Sequence, residues 1–62
     1  MSYIERMNDE LADLAVKLKA LDAFINSDAS LELSHVNRQL LVQQRNAMVD
    51  YLKILAARIA IQ

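Results

Sequence analysis

Glycine, proline, cysteine, tryptophan and threonine are all absent from this 62-residue chain. Without cysteine there is no disulfide framework and no thiolate metal site. Without glycine there is no phosphate-cradling loop and no dinucleotide fingerprint, because those loops need backbone that approaches a phosphate with no side chain in the way. A phosphate partner would have to be held by side chains. Charge of one sign is also lacking: seven basic residues stand against eight acidic ones, a formal net charge of −1. That leaves no electrostatic footprint for polymeric DNA or RNA or for an anionic membrane surface. No apolar run reaches the length of a signal peptide or a membrane span, and the opening MSYIERMNDE turns acidic at once. The expected compartment is the cytoplasm.

What the chain does have is alanine and leucine, together 19 of its 62 residues, within a composition that is 55% hydrophobic. This is helical and far too apolar for disorder. Below about 70–80 residues a single core rarely supplies more than ~3–5 kcal/mol, so such chains lean on disulfides, a metal or association. With disulfides excluded, the module is expected to complete its core with another chain.

Ile4, Met7, Leu11, Leu14, Leu18, Leu21 and Ile25 are spaced alternately three and four apart, an a/d seam sustained over three heptads. Ser2 and Glu5 fit a capping box at its start. Asp13 and Lys17 stand in the favourable i, i+4 order. Between Asn26 and Ser34 the sequence NSDASLELS interrupts the period with cap-prone residues. Asn26, Ser27 and Asp28 end the first helix, and Ser34 caps the second. Leu31 and Leu33 are expected to cover the end of the hairpin. The chain therefore reads as one all-α domain spanning 1–62, with helix one at about 2–26, a turn at about 27–34 and helix two at about 35–61.

Helix two has a different pattern. Leu41, Met48, Leu52, Leu55 and Ile59 form one stripe that can face helix one. Val36, Leu40, Ala47, Tyr51, Ile54 and Ile61 flank it on one side, and Val42, Val49, Ala56 and Ala60 on the other. Only a narrow polar wedge remains, at Gln43, Asn46, Asp50 and Lys53. A helix this apolar around its circumference needs more than one neighbour. The expected architecture is a two-helix antiparallel hairpin that self-associates into a helical-bundle oligomer.

Little here suggests catalysis or metal binding. Glu32 and His35 make E-x-x-H, the spacing of di-iron carboxylate bundles, but the seam of helix one is aliphatic and offers no facing carboxylate. Ser34 as N-cap also leaves Glu32 outside the helix. Ser34 beside His35 is better explained as a cap than as a nucleophile and base, since adjacent helical side chains diverge by about 100°. No catalytic residue, metal site or cofactor is expected. The arginines and tyrosines carry more. Arg38 reads as solvated and Arg45 borders the packing stripe, while Arg58 lies in an apolar flank with Tyr51, Ile54 and Ile61. There it either snorkels to water or forms a salt bridge between subunits, or it meets an anion at an interface.

The pattern Tyr3-x-x-Arg6-Met7 opening a heptad helix, then Leu40-Leu41-x-x-Gln44-x-x-Ala47-Met48-x-x-Tyr51-x-x-Ile54-Leu55-x-x-Arg58-Ile59, resembles short helical-hairpin proteins of crAss-like and other tailed phages. The second helix is also similar in style to the hairpin domain of phage anti-CBASS and anti-Thoeris sponge proteins. That resemblance implies a non-catalytic inhibitor of bacterial immunity, a homo-oligomer that sequesters a cyclic di- or trinucleotide or a cyclic ADP-ribose-type signal in pockets between subunits. It points to Tyr3, Arg6, Tyr51 and Arg58 as ligand contacts, with Arg45 and Lys53 as weaker ones, tyrosine stacking on the base and the cations pairing with phosphate. The same apolar excess also fits a structural or protein-binding module, its stripes docking on another protein.

Overall fold

A computed structural model describes residues 2–62 as two helices and a short tight turn between them. Helix α1 runs Tyr3–Ile25 and helix α2 His35–Ala60, with a 3-10 turn at Asp28–Glu32. Each helix begins on a serine. Ser2 is extended and its Oγ accepts the Glu5 amide at 3.1 Å; Ser34 is extended and its Oγ accepts the Asn37 amide at 3.1 Å. Both satisfy one of the four amides that a helix start leaves without a partner. Among the described residues only the serine half of the Ser2–Glu5 box is formed, and Glu5 instead places a negative charge in the first turn, where the helix dipole favours it.

The end of α1 shows how a chain without glycine stops a helix. No described residue has positive φ, so the usual left-handed C-cap is not used. Side chains take over. Asn26 donates from Nδ2 to the Asp22 carbonyl at 2.9 Å, and Ser27 Oγ donates to the Phe24 carbonyl at 2.6 Å. Ser30 Oγ lies 2.9 Å from both the Ile25 and the Ser27 carbonyl oxygens, so one hydroxyl proton is shared between them. Ser30 is only 2% exposed. It, not Leu31, plugs the end of the hairpin: Leu31 stays 63% exposed and Leu33 is half-buried. The turn packs the small hydroxyl inward because the Ile25 carbonyl needs a donor that a leucine side chain lacks, while the Ser27 carbonyl already accepts the Ser30 amide.

The two helices run antiparallel, as the hydrogen-bonded pairs Tyr3–Arg58 and Glu10–Tyr51 require. Met7 and Leu14 of the α1 seam and Leu55 of the α2 stripe are the buried apolar residues, and Leu55 is fully enclosed. The rest of the stripe and most of the seam are half-buried. Two parallel rods cannot do better, since each covers only one side of the other. The molecule measures 43 × 16 × 13 Å with a radius of gyration of 14.3 Å, against about 11 Å for a compact domain of this length. Its accessible surface is 4650 Å², some hundreds of Å² above the roughly 4000 Å² expected of a compact protein of its mass.

The excess is concentrated. Val36, Leu40, Tyr51, Ile54 and Ile61 are 64, 55, 43, 59 and 81% exposed, the first four on one flank of α2 and Ile61 at its C-cap. Leu40, Gln44, Ala47, Tyr51, Ile54, Arg58 and Ile61 follow one another at spacings of four and three, a second heptad line that α1 does not cover. The opposite flank, Val42, Val49 and Ala56, is half-buried. On α1, Val16 is 69% exposed but stands among charged neighbours.

Candidate functional site

Charge is divided unequally between the helices. Helix α1 carries Glu5, Asp9, Glu10, Asp13 and Asp22 against Arg6, Lys17 and Lys19, whereas α2 carries Arg38, Arg45, Lys53 and Arg58 against the single acid Asp50. The cross-helix polar contacts follow that division. Arg58 Nη2 donates to the Tyr3 hydroxyl at 2.7 Å, and the Tyr51 hydroxyl donates to a carboxylate oxygen of Glu10. On the other side of the hairpin, Arg45 Nη1 meets Asp22 Oδ1 at 3.0 Å, both side chains partly exposed. Arg45 also donates from Nε and Nη2 to Asn46 Oδ1. Asp13 and Lys17 share a face but do not close to ion-pair distance among the described residues.

The six residues singled out as ligand contacts therefore do not form one cluster in a single chain. Tyr3 and Arg58 meet at the open end of the hairpin. Arg6 and Tyr51 line a shallow cleft of about 420 Å³ along the same side, with Asp9, Glu10 and Asp13. Arg45 lines a separate groove of about 470 Å³ with Asp22 and Lys19. Lys53 is exposed on the polar wedge of α2 and lines none of these clefts. The arginine-and-tyrosine partnership of Arg58 is with Tyr3 across the hairpin, not with Tyr51 on its own helix.

Glu10 and Asp22 were not singled out from sequence, and both turn out to hold a candidate. The signal was present. Once Tyr3 is set opposite Arg58, moving one heptad forward on α1 and one heptad back on α2 brings Glu10 opposite Tyr51. The cleft beside Tyr51 holds three carboxylates against Arg6 and Lys17, so within one chain it is a poor place for an anion. Among the described residues there is no group of three or more His, Cys, Asp or Glu that could hold a metal ion, and no helix long and apolar enough to cross a membrane.

The geometry is thus a two-helix hairpin with one spare apolar flank and a tyrosine–arginine pair at its edge. Residues 1–61 match the Sequestin family, and the chain belongs to it. It is similar to a protein of Enterobacteria phage T4 described as an uncharacterized 7.5 kDa protein in the denB-rIIB intergenic region, 35% identical over 60 residues that span 97% of this chain and 94% of the relative. No solved structure matches the chain. The protein is thus a short all-α member of a family with a phage relative of almost the same length.

Proposed function

We propose that this protein is a non-catalytic sponge that sequesters a small nucleotide signal, a cyclic di- or trinucleotide or a cyclic ADP-ribose-type molecule, in pockets between copies of the chain, and so blunts a bacterial CBASS or Thoeris response to phage. The observation that carries the reading is the tyrosine–arginine pair, Tyr3 with Arg58, set on the edge of the uncovered heptad line of α2, within a family whose name denotes sequestration. Association along that line covers Leu40, Ile54 and Ile61, and it draws Tyr51 and Arg58 into a subunit interface. The acidic wall of the Tyr51 cleft makes the oligomer a requirement of the reading. Cations from a neighbouring α2, Lys53 and Arg58 foremost, must offset Asp9, Glu10 and Asp13 before phosphate can settle there.

Calorimetry against cyclic di- and trinucleotides and cyclic ADP-ribose isomers tests this directly. Saturable heat from one of them is expected, lowered at least tenfold in affinity by Arg58→Ala or Tyr51→Ala while the oligomer persists in sedimentation. Absence of heat across the panel at tens of micromolar protein sinks the reading. The same exposed line also suits a structural or protein-binding module. A closed homo-oligomer with no apolar flank left counts against that alternative, and recovery of one stoichiometric host protein on an immobilised chain counts for it.

A further inference from the structure

A third cleft lies at the closed end of the hairpin, between the turn and the start of α2, far from Tyr3 and Arg58. Its walls include Ile25, Ser30, His35, Arg38, Leu41 and Val42, together with Gln39 and Gln43, and it encloses about 420 Å³. That volume is within the range of small-molecule sites, but the other clefts are as large. The lining sets this one apart. The cleft beside Tyr51 contains Asp9, Glu10 and Asp13, and the groove beside Arg45 contains Asp22. The closed-end cleft contains no carboxylate. Asp28 and Glu32 belong to the adjoining turn, yet neither lines it.

The two titratable groups that do line it are a guanidinium and an imidazole. Among the described residues neither Arg38 nor His35 makes a side-chain hydrogen bond or ion pair, whereas Arg45 and Arg58 are already engaged. An Arg held beside carboxylates spends its donors on them; Arg38 keeps its planar fork for an incoming oxyanion. Ile25, Leu41 and Val42 supply apolar wall of the kind that covers a ring or chain attached to such an anion. The buried Ser30 hydroxyl, tied to the Ile25 and Ser27 carbonyls, fixes the wall on the turn side.

We infer that this cleft is a second binding site, for a small oxyanion carried on an apolar or aromatic body, with Arg38 as the principal anion contact and His35 as a second donor. It is independent of the sponge reading, which places its ligand beside Tyr51 and Arg58 and uses none of the residues that line this cleft.

The test is a titration of the full-length, isotope-labelled protein followed by amide NMR, with phenyl phosphate, benzoate and inorganic phosphate as probes at matched ionic strength. Phenyl phosphate or benzoate is expected to move the amides of residues 35–42 saturably, and inorganic phosphate to do so at least several-fold more weakly because it has no body to cover. Preference for phenyl phosphate over benzoate, or the reverse, assigns the oxyanion as phosphate or carboxylate. Arg38→Gln, an exposed change that circular dichroism should show to leave the fold intact, is expected to weaken binding about tenfold, and Arg58→Gln to leave it unchanged. Shifts no larger than those caused by sodium chloride overturn the inference, as does binding that is indifferent to Arg38→Gln. Nucleotide binding that depends on Arg58, with no saturable phenyl phosphate or benzoate shifts at residues 35–42, leaves the sponge reading standing and removes this site. Loss of nucleotide binding at Arg58 with retained phenyl phosphate or benzoate binding at Arg38 keeps both sites distinct.

Discussion

Ile54 and Leu55 are adjacent in sequence and opposite in environment, and truncating each to alanine separates the interior of one hairpin from the surface it presents to others. Leu55 is fully buried, so Leu55→Ala removes its burial and leaves a cavity, at a cost of about 2–5 kcal/mol. That is most of the ~3–5 kcal/mol a chain of this size commands from its own core. Ile54 is 59% exposed. In an isolated hairpin its truncation forfeits only the part already buried, about 1 kcal/mol, and recovers a few tenths because alanine is the better helix former. If α2 pairs with another copy, the exposed part is buried too, and full burial of such a side chain is worth about 1.5–3 kcal/mol, so the loss rises by about 1–2 kcal/mol per chain. The assay is thermal and urea unfolding by circular dichroism over a wide range of protein concentration, with sedimentation alongside. The wild type should melt at a temperature that climbs with concentration, Leu55→Ala should be crippled throughout, and Ile54→Ala should be mild when dilute and costly when concentrated. A melting temperature independent of concentration, with Ile54→Ala near neutral everywhere, would refute the reasoning that the uncovered heptad line is an interface.

Three further outcomes are expected. Ser30→Ala strips the shared donor from the Ile25 and Ser27 carbonyls and should cost about 1–3 kcal/mol in urea unfolding; an unchanged midpoint would show that the turn satisfies them otherwise. Ser34→Ala removes the cap on Asn37 and should cost about 1 kcal/mol, and Ser34→Asp should restore most of it. A double-mutant cycle on Asp22→Asn and Arg45→Gln should return a coupling of about 0.2–1 kcal/mol that shrinks as salt is added, since both side chains are partly exposed; a salt-independent coupling above that range would mean the pair is far more enclosed than its exposure says.

Much of the architecture was legible because the rules that write it are local. The serine caps precede their helices, and the spacing of Ile4 to Ile25 reports one buried face of α1. The inward residue of the turn was not legible in the same way. Hydropathy points to Leu31 as the plug, but Ser30 wins because the Ile25 carbonyl at the end of α1 needs a donor, and that need exists only once the backbone has folded. The site candidates divide similarly. Tyr3, Arg6, Tyr51 and Arg58 do gather along one side, but Arg45 lies on the other side of the hairpin with Asp22 and Lys53 stands apart. Which tyrosine meets Arg58 depends on the register of two antiparallel helices, which the turn sets and single-helix periodicity does not contain. Arg38, read as merely solvated, lines a cleft without carboxylates, because Asp9, Glu10, Asp13 and Asp22 line the clefts beside Tyr51 and Arg45 instead.

A turn built from serine and asparagine hydroxyls and amides also has a kinetic meaning. Most contacts of this hairpin are between neighbours along a helix, the cross-helix ones following once a single short turn has closed, with no left-handed residue among the described ones to be searched for and no proline isomer to wait on. Helical chains with such local contacts fold in microseconds to milliseconds, while a ribosome working at about 5–20 residues per second needs some seconds to make 62 residues. Each hairpin therefore forms essentially as fast as it is synthesised, and any delay before copies act together lies in their meeting rather than in their folding.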